Sequence, residues 1–246
     1  MTRVAIFVLA LLISVYLIAL YLRRTGMFFP DRYPSGRWDV QQFMIVPSEH
    51  TFASADGVKL HAWLFRADDP HAPVLIWFHG NAGNITNRAD MAVELARRGV
   101  SVFLFDYRGY GKSEGQPKES KLYLDSLAAF DYVRSLHPAR VAIYGESLGG
   151  PYAAFVAKER KDSVRAVIME NSFSSLKDLA NAIYAPLPLG WTAPLAMRTS
   201  AWLNEAGVPV LVLHGKRDMV VPYRIGRKLY DDLRVPKEMI TSDGAG

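Results

Sequence analysis

The sequence predicts an α/β domain with a mostly parallel central sheet flanked by helices, and three observations carry that expectation. Short apolar runs alternate with segments of helical spacing from Val74 to Val235. Four of these runs, Val74 to Phe78, Val100 to Phe105, Val164 to Met169 and Pro209 to Leu213, are apolar almost without a break, as strands covered on both faces are. A fifth, Arg140 to Tyr144, leads through Gly145-Glu146-Ser147-Leu148-Gly149 straight into the helix-like stretch Gly150 to Ala157. With 246 residues, half of them hydrophobic, the chain fits one such domain better than two.

At the amino end, Val4 to Leu22 contains no charge, and a helix of that length spans roughly 28 Å, close to the hydrocarbon thickness of a bilayer. The flank Tyr21 to Pro30 offers no small-residue cleavage site. Residues 1–24 therefore read as an uncleaved single-pass membrane anchor. Arg23, Arg24, Arg32 and Arg37 after the span outnumber Arg3 before it, which favours a cytoplasmic globular domain. Residues 25–44, aromatic, basic and Pro-containing, read as an interfacial linker, and residues 45–246 as the folded domain. The formal net charge of +5 is concentrated at that flank, so no basic stripe is left to track phosphates, and nucleic acid is excluded as a partner. The absence of cysteine excludes disulfides and thiolate chemistry.

Val40 to Val46 and the alternating Lys59 to Phe65 read as the first strands, with Asp56-Gly57 as the turn before the second. Met91 and Leu95 form a helical stripe closed by Gly99 as a C-cap. Tyr123, Leu127, Phe130 and Val133 form another, stopped by Pro138. Residues 174–206, with Pro186, Pro188, Trp191 and Pro194 among apolar residues, interrupt the alternation and read as a short cap insertion. Glu238 to Thr241 is the last strand.

In a parallel sheet reactive groups gather at the carboxyl ends of the strands. Ser147, the loop His79 to Asn84, Asp106, Glu170 and the turn His214 to Asp218 all sit at such ends. A serine hydroxyl is a poor nucleophile unless held exposed beside a base and near the positive end of a helix, and the bend at Ser147 is suited to that. Asp106 with Arg108 and Ser113 reads as a loop-stabilising network.

Together, His79-Gly80-Asn81-Ala82-Gly83-Asn84, Asp106-Tyr107-Arg108-Gly109-Tyr110-Gly111-Lys112-Ser113 and Gly145-Glu146-Ser147-Leu148-Gly149-Gly150 resemble the blocks of the α/β-hydrolase superfamily, in its anchored lipase/esterase and peptidase-like branch. The resemblance runs from about residue 45 to the end. It implies an α/β-hydrolase fold, with Ser147 as nucleophile and the amides of Leu148 and Asn81 as oxyanion donors. It further implies Asp218 as triad acid, Glu170 as an alternative acid site, and His79 as a structural member of the oxyanion loop. The implied activity is hydrolysis of carboxylic esters through an acyl-enzyme, with thioesters and peptides as alternatives and a small-molecule or lipid-like substrate. No metal or other cofactor is implied.

The six histidines are His50, His61, His71, His79, His137 and His214, and none follows the last strand, where the family keeps its triad histidine. The histidine loop and the helix after it are expected beyond Gly246, so the chain as given is expected to be nearly inert. A non-catalytic, membrane-tethered binding module is the alternative.

Overall fold

The computed structural model describes residues 28–183 and 197–244. The strands are β1 (Phe29–Pro30), β2 (Ser48–Ala53), β3 (Lys59–Phe65), β4 (Val74–Phe78), β5 (Ala82–Gly83), β6 (Ser101–Phe105), β7 (Val141–Glu146), β8 (Val167–Glu170), β9 (Val210–Gly215) and β10 (Lys237–Ser242). The α-helices are α1 (Ala89–Arg97), α2 (Glu119–Ser135), α3 (Gly149–Glu159), α4 (Leu176–Ile183), α5 (Thr199–Ala206) and α6 (Tyr223–Asp232). Eight strands form one sheet in the order β10-β9-β8-β7-β4-β6-β3-β2. It is parallel from β10 to β6, and β3 and β2 add antiparallel at one edge.

Successive side chains of a strand point to opposite faces, so each apolar run fills two cores. Ile76, Phe78, Phe103 and Phe105 join one core with Phe130 of α2 and the alanines of α3. Leu75, Trp77, Val102 and Leu104 join the other with Ala89, Ala92 and Ala96 of α1. Helix α3 runs behind the sheet centre and is buried nearly all round, which explains its run of Ala and Val. On its outer side Phe155 meets Trp202 of α5 edge-on at 5.5 Å.

The mostly parallel sheet flanked by helices is thus the architecture expected, with local differences. Val40 to Val46 is not a strand. The Asp39 carboxylate accepts the Gln41 amide at 3.1 Å and caps a short 3-10 turn, Val40–Gln42, while the edge strand begins at Ser48. Met91 is 55% exposed, because α1 sits so close to the sheet that its inner face is alanine. Of the expected cap, residues 184–196 lie outside the described residues, and Thr199–Ala206 is a core helix with Trp202 and Leu203 buried.

The membrane placement is corrected. Among the described residues no helix is long and apolar enough to cross a membrane. The longest, α2, is 17 residues of mixed charge and apolar character, about 26 Å at helical rise, with one face on the sheet. The anchor expected over residues 1–24 lies outside the described residues. The expected linker, from Phe28 onward, is also part of the domain, since β1 pairs with β5.

Candidate active site

Strands β4 and β7 are neighbours, in register at Phe78 and Gly145, so the loops leaving their carboxyl ends emerge side by side. A β-carbon on Gly80 would stand 3.5 Å from that of Ser147. Ser147 has a φ of +49°, a left-handed conformation that strains any residue with a side chain. Its backbone is held from three sides: its amide donates to the Glu170 carbonyl at 2.8 Å, and its carbonyl accepts from the Gly150 amide at 3.0 Å and the Ser172 hydroxyl at 2.9 Å. The flanking glycines have a steric cause. A β-carbon at Gly145 would lie 2.7 Å from the Gly150 Cα, and one at Gly149 would collide with the Phe78 carbonyl. Leu148 is buried at the N-cap of α3, where helix amides lack intrahelical partners.

The neighbouring loop is fixed from both sides of Asn81. His79 Nδ1 lies 2.8 Å from the Gly80 carbonyl, and since a carbonyl only accepts, Nδ1 carries the proton. The Asn81 carbonyl accepts from the Phe29 amide and the Tyr110 hydroxyl, both at 2.8 Å. Behind the loop, His79 Nε2 faces Asp106 Oδ1 at 3.6 Å. Burial pushes the imidazole pKa down to about 3, with the nearby Arg88 charge adding, and pushes the Asp106 carboxyl up to about 8. Near neutrality both are therefore uncharged. Asp106 also accepts the Ile85 amide at 3.0 Å, and its carbonyl accepts the Ser113 hydroxyl at 2.7 Å. Arg108 does not join it: its guanidinium pairs with Asp125 at 2.6 Å and Asp56 at 2.8 Å.

One feature of the site escaped the sequence reading. Arg88, just before α1, grips Glu146 with Nη2 to Oε1 at 2.6 Å and Nε to Oε2 at 3.0 Å, and donates to the Ala82 carbonyl at 2.9 Å. The Trp77 indole adds a bond to Glu146 at 3.0 Å. Burial would raise the Glu146 pKa, but the bonds and charge of Arg88 outweigh it and hold the carboxyl below its ordinary range. One guanidinium thus ties the residue before Ser147 to the loop after β4.

On the other side, Asp218 Oδ1 accepts the amides of Val220 at 2.7 Å and Val221 at 2.8 Å. His214 Nε2 donates to the Val221 carbonyl at 2.8 Å, so the two residues hold Val221 by its amide and its carbonyl, one peptide unit on each side. His214 is buried, and its other nitrogen is pressed against Gly226, where a β-carbon would collide with it. Nε2 is committed to that carbonyl, and Nδ1, without a hydrogen-bond partner, is buried against Gly226. Glu170 is half-buried beside Tyr144, and burial first, then the Glu146 and Asp218 charges, raise its pKa. Of the remaining histidines, His50 bonds Ser48 and Tyr132, His61 is buried near Glu49, and His71 and His137 are exposed. Among the described residues no cluster of metal-ligating side chains is present.

A mostly parallel sheet with a strained serine between its fourth and eighth strands, beside a glycine loop from the adjacent strand, defines an α/β hydrolase. Residues 69–204, more than half of the chain, match the family model described as serine aminopeptidase, S33, and the chain belongs to that family. It is 34% identical to the uncharacterized protein YfhR of Salmonella typhi, over 87% of this chain and 77% of that one. It is 32% identical to protein bem46 of Schizosaccharomyces pombe, over 85% and 76%. Among solved structures it is similar to the Pyrococcus furiosus esterase Pf2001, with a TM-score of 0.70 and 21% identity, covering 89% of each chain.

Proposed function

We propose that this hydrolase cleaves carboxylic esters through an acyl-enzyme formed on Ser147. The amides of Leu148 and Asn81 hold the oxyanion, and Asp218 orients the imidazole that serves as base, with Glu170 as the alternative acid. The single observation that carries the reading is the strained Ser147 bend, with the Gly80 backbone so near that a β-carbon there would stand 3.5 Å from that of Ser147, and the start of a buried helix immediately after it. A donor aimed at charge that develops only in the transition state contributes about 3 kcal/mol there. Asp218 supports its role by using one carboxylate oxygen for the turn amides, which leaves Oδ2 for an imidazole N–H. The substrate is a small-molecule or lipid-like ester.

Among the described residues no histidine hydrogen-bonds Ser147, and the two at strand ends, His79 and His214, each hold a loop carbonyl. Loss of a triad base lowers turnover on the order of a million-fold, so the 246-residue chain is expected to turn over esters barely above background. The test is labelling by a fluorophosphonate with and without added imidazole as an external base. Label on Ser147 that rises with imidazole, and is abolished in Ser147→Ala, is the expected result. Equal labelling of Ser147→Ala would end the proposal.

A second reading, a binding module without catalysis, is favoured by the commitment of both His79 and His214 to structural bonds. A chain that binds a long-chain ester tightly and takes no label under any base would support it. The family description names a peptidase, and a panel of matched p-nitrophenyl ester, thioester and anilide substrates with imidazole separates the three acyl classes.

A further inference from the structure

The segment Phe29–Ser35 lies outside the stretch that the family model matches, and it is stitched to the site more closely than to the sheet. Strand β1 runs parallel to β5 inside the oxyanion loop, with Phe29 opposite Ala82 and Pro30 opposite Gly83. Phe29 donates its amide to the Asn81 carbonyl at 2.8 Å, and Asp31 donates to the Gly83 carbonyl at 3.1 Å. The Asn84 side-chain amide donates back to the carbonyls of Asp31 and Ser35 at 3.0 and 2.9 Å. On its other flank the segment holds the loop after β6: Gly111 donates to the Asp31 carbonyl, Tyr33 donates to the Gly111 carbonyl, and the Arg32 guanidinium reaches the Gly115 carbonyl at 2.7 Å. The segment is therefore a clasp between two loops.

What it grips decides its role. A peptide unit is planar and trans, so fixing its carbonyl fixes the opposite direction of its N–H. His79 fixes the Gly80 carbonyl and with it the Asn81 amide. The next peptide unit is fixed by the Phe29 amide and the Tyr110 hydroxyl on the Asn81 carbonyl. With both planes pinned, neither backbone dihedral of Asn81 is free to turn. We propose that the clasp Phe29–Ser35 is a positioning element of the active site, which holds the Asn81 amide in donor orientation through the Phe29 N–H. The catalytic consequence rests on the assignment of Ser147 and Asn81 above. The mechanical one does not.

Phe29 is 62% exposed although its amide is bonded, so its backbone and its side chain are separable. Phe29→Pro deletes the N–H and keeps an extended backbone, whereas Phe29→Ala deletes the ring and keeps the N–H. In the full chain, amide hydrogen exchange is measured residue by residue, together with the fluorophosphonate reaction in imidazole, resolved into reagent binding and maximal phosphonylation rate.

In Phe29→Pro we expect exchange at Asn81 to Asn84 to accelerate at least tenfold, with β4, β6 and β7 unchanged. Maximal phosphonylation is expected to fall at least tenfold with reagent binding intact, and Phe29→Ala to match the wild type in both. Unchanged exchange at Asn81 to Asn84, acceleration spread evenly through the sheet, or equal effects of the two variants would overturn the clasp. If the wild type takes no label at all, the Ser147 assignment fails while the exchange arm still decides the clasp. If exchange accelerates but maximal phosphonylation does not fall, the clasp is structural only and the positioning role is overturned.

Discussion

Gly149 enters helix α3 against the carbonyl of Phe78, so closely that a β-carbon at position 149 would collide with that oxygen. The contact joins the start of the helix to the last residue of β4, and so sets the spacing between Ser147 and the loop beginning at His79. Both partners are backbone or fixed core, so a side chain here has nothing flexible to displace. Gly149→Ala is expected to destabilise the fold by about 2 to 3 kcal/mol, the scale of overpacking in a close-packed interior. The urea midpoint measures it, and a loss below about 0.5 kcal/mol would contradict the contact.

The Arg88 and Glu146 pair should show itself in the acid limb of stability. Because the folded pKa of Glu146 is lowered, the pair stabilises the fold above the ordinary glutamate value of 4.5, and that contribution is lost as pH falls through the folded value. Arg88→Met leaves the carboxylate largely enclosed without its partner, and should lose about 2 kcal/mol at neutral pH. The gap between the two proteins should then narrow as the pH drops below 4.5. Urea midpoints at a series of pH values test this, and a gap independent of pH would rule the pair out as the source.

What was legible in the sequence and what was not divides by distance along the chain. The Ser147 bend, the His79 loop and the Asp218 turn are local: each is a glycine or turn residue at the end of an apolar run. The Arg88 to Glu146 pair and the Phe29 to Asn81 bond are made by residues more than 50 positions apart, and nothing near either partner announces the other. Strand β2 was missed because it is an edge, with Phe52 its one buried residue, so Ser48 to Ala53 has no apolar run to read. Met91 misled for the reverse reason, since helical spacing marks a face but cannot say how close the sheet lies.

The buried pair of His79 and Asp106 predicts a plateau with two falling sides. Asp106 has a folded pKa of about 8 against an ordinary 3.8, so its contribution is complete below 3.8 and is lost as pH rises to about 8. His79 has a folded pKa of about 3 against an ordinary 6.5, so its contribution is complete above 6.5 and is lost as pH falls. Between 3.8 and 6.5 the two slopes cancel. From 6.5 to 8 only Asp106 titrates, and stability should fall by about 1.4 kcal/mol per pH unit, the value of one proton. Asp106→Asn should lack that alkaline slope, and a wild-type slope that persists in the variant would place its origin elsewhere.

Position 147 should reverse the usual ranking of alanine and glycine. Elsewhere in a fold glycine is the less stable of the two by about 0.5 to 1 kcal/mol, because it loses more backbone freedom. At a φ of +49° the β-carbon itself carries the strain, about 1 to 2 kcal/mol, which glycine does not. The bonds that hold the bend use the backbone amide and carbonyl of Ser147, so both substitutions keep them. Ser147→Gly should therefore be more stable than Ser147→Ala by up to about 1.5 kcal/mol, the strain less the entropic loss, while neither takes a fluorophosphonate label. If alanine is the more stable, the bend holds no strain, and the hydroxyl is not being presented against the preference of its own backbone.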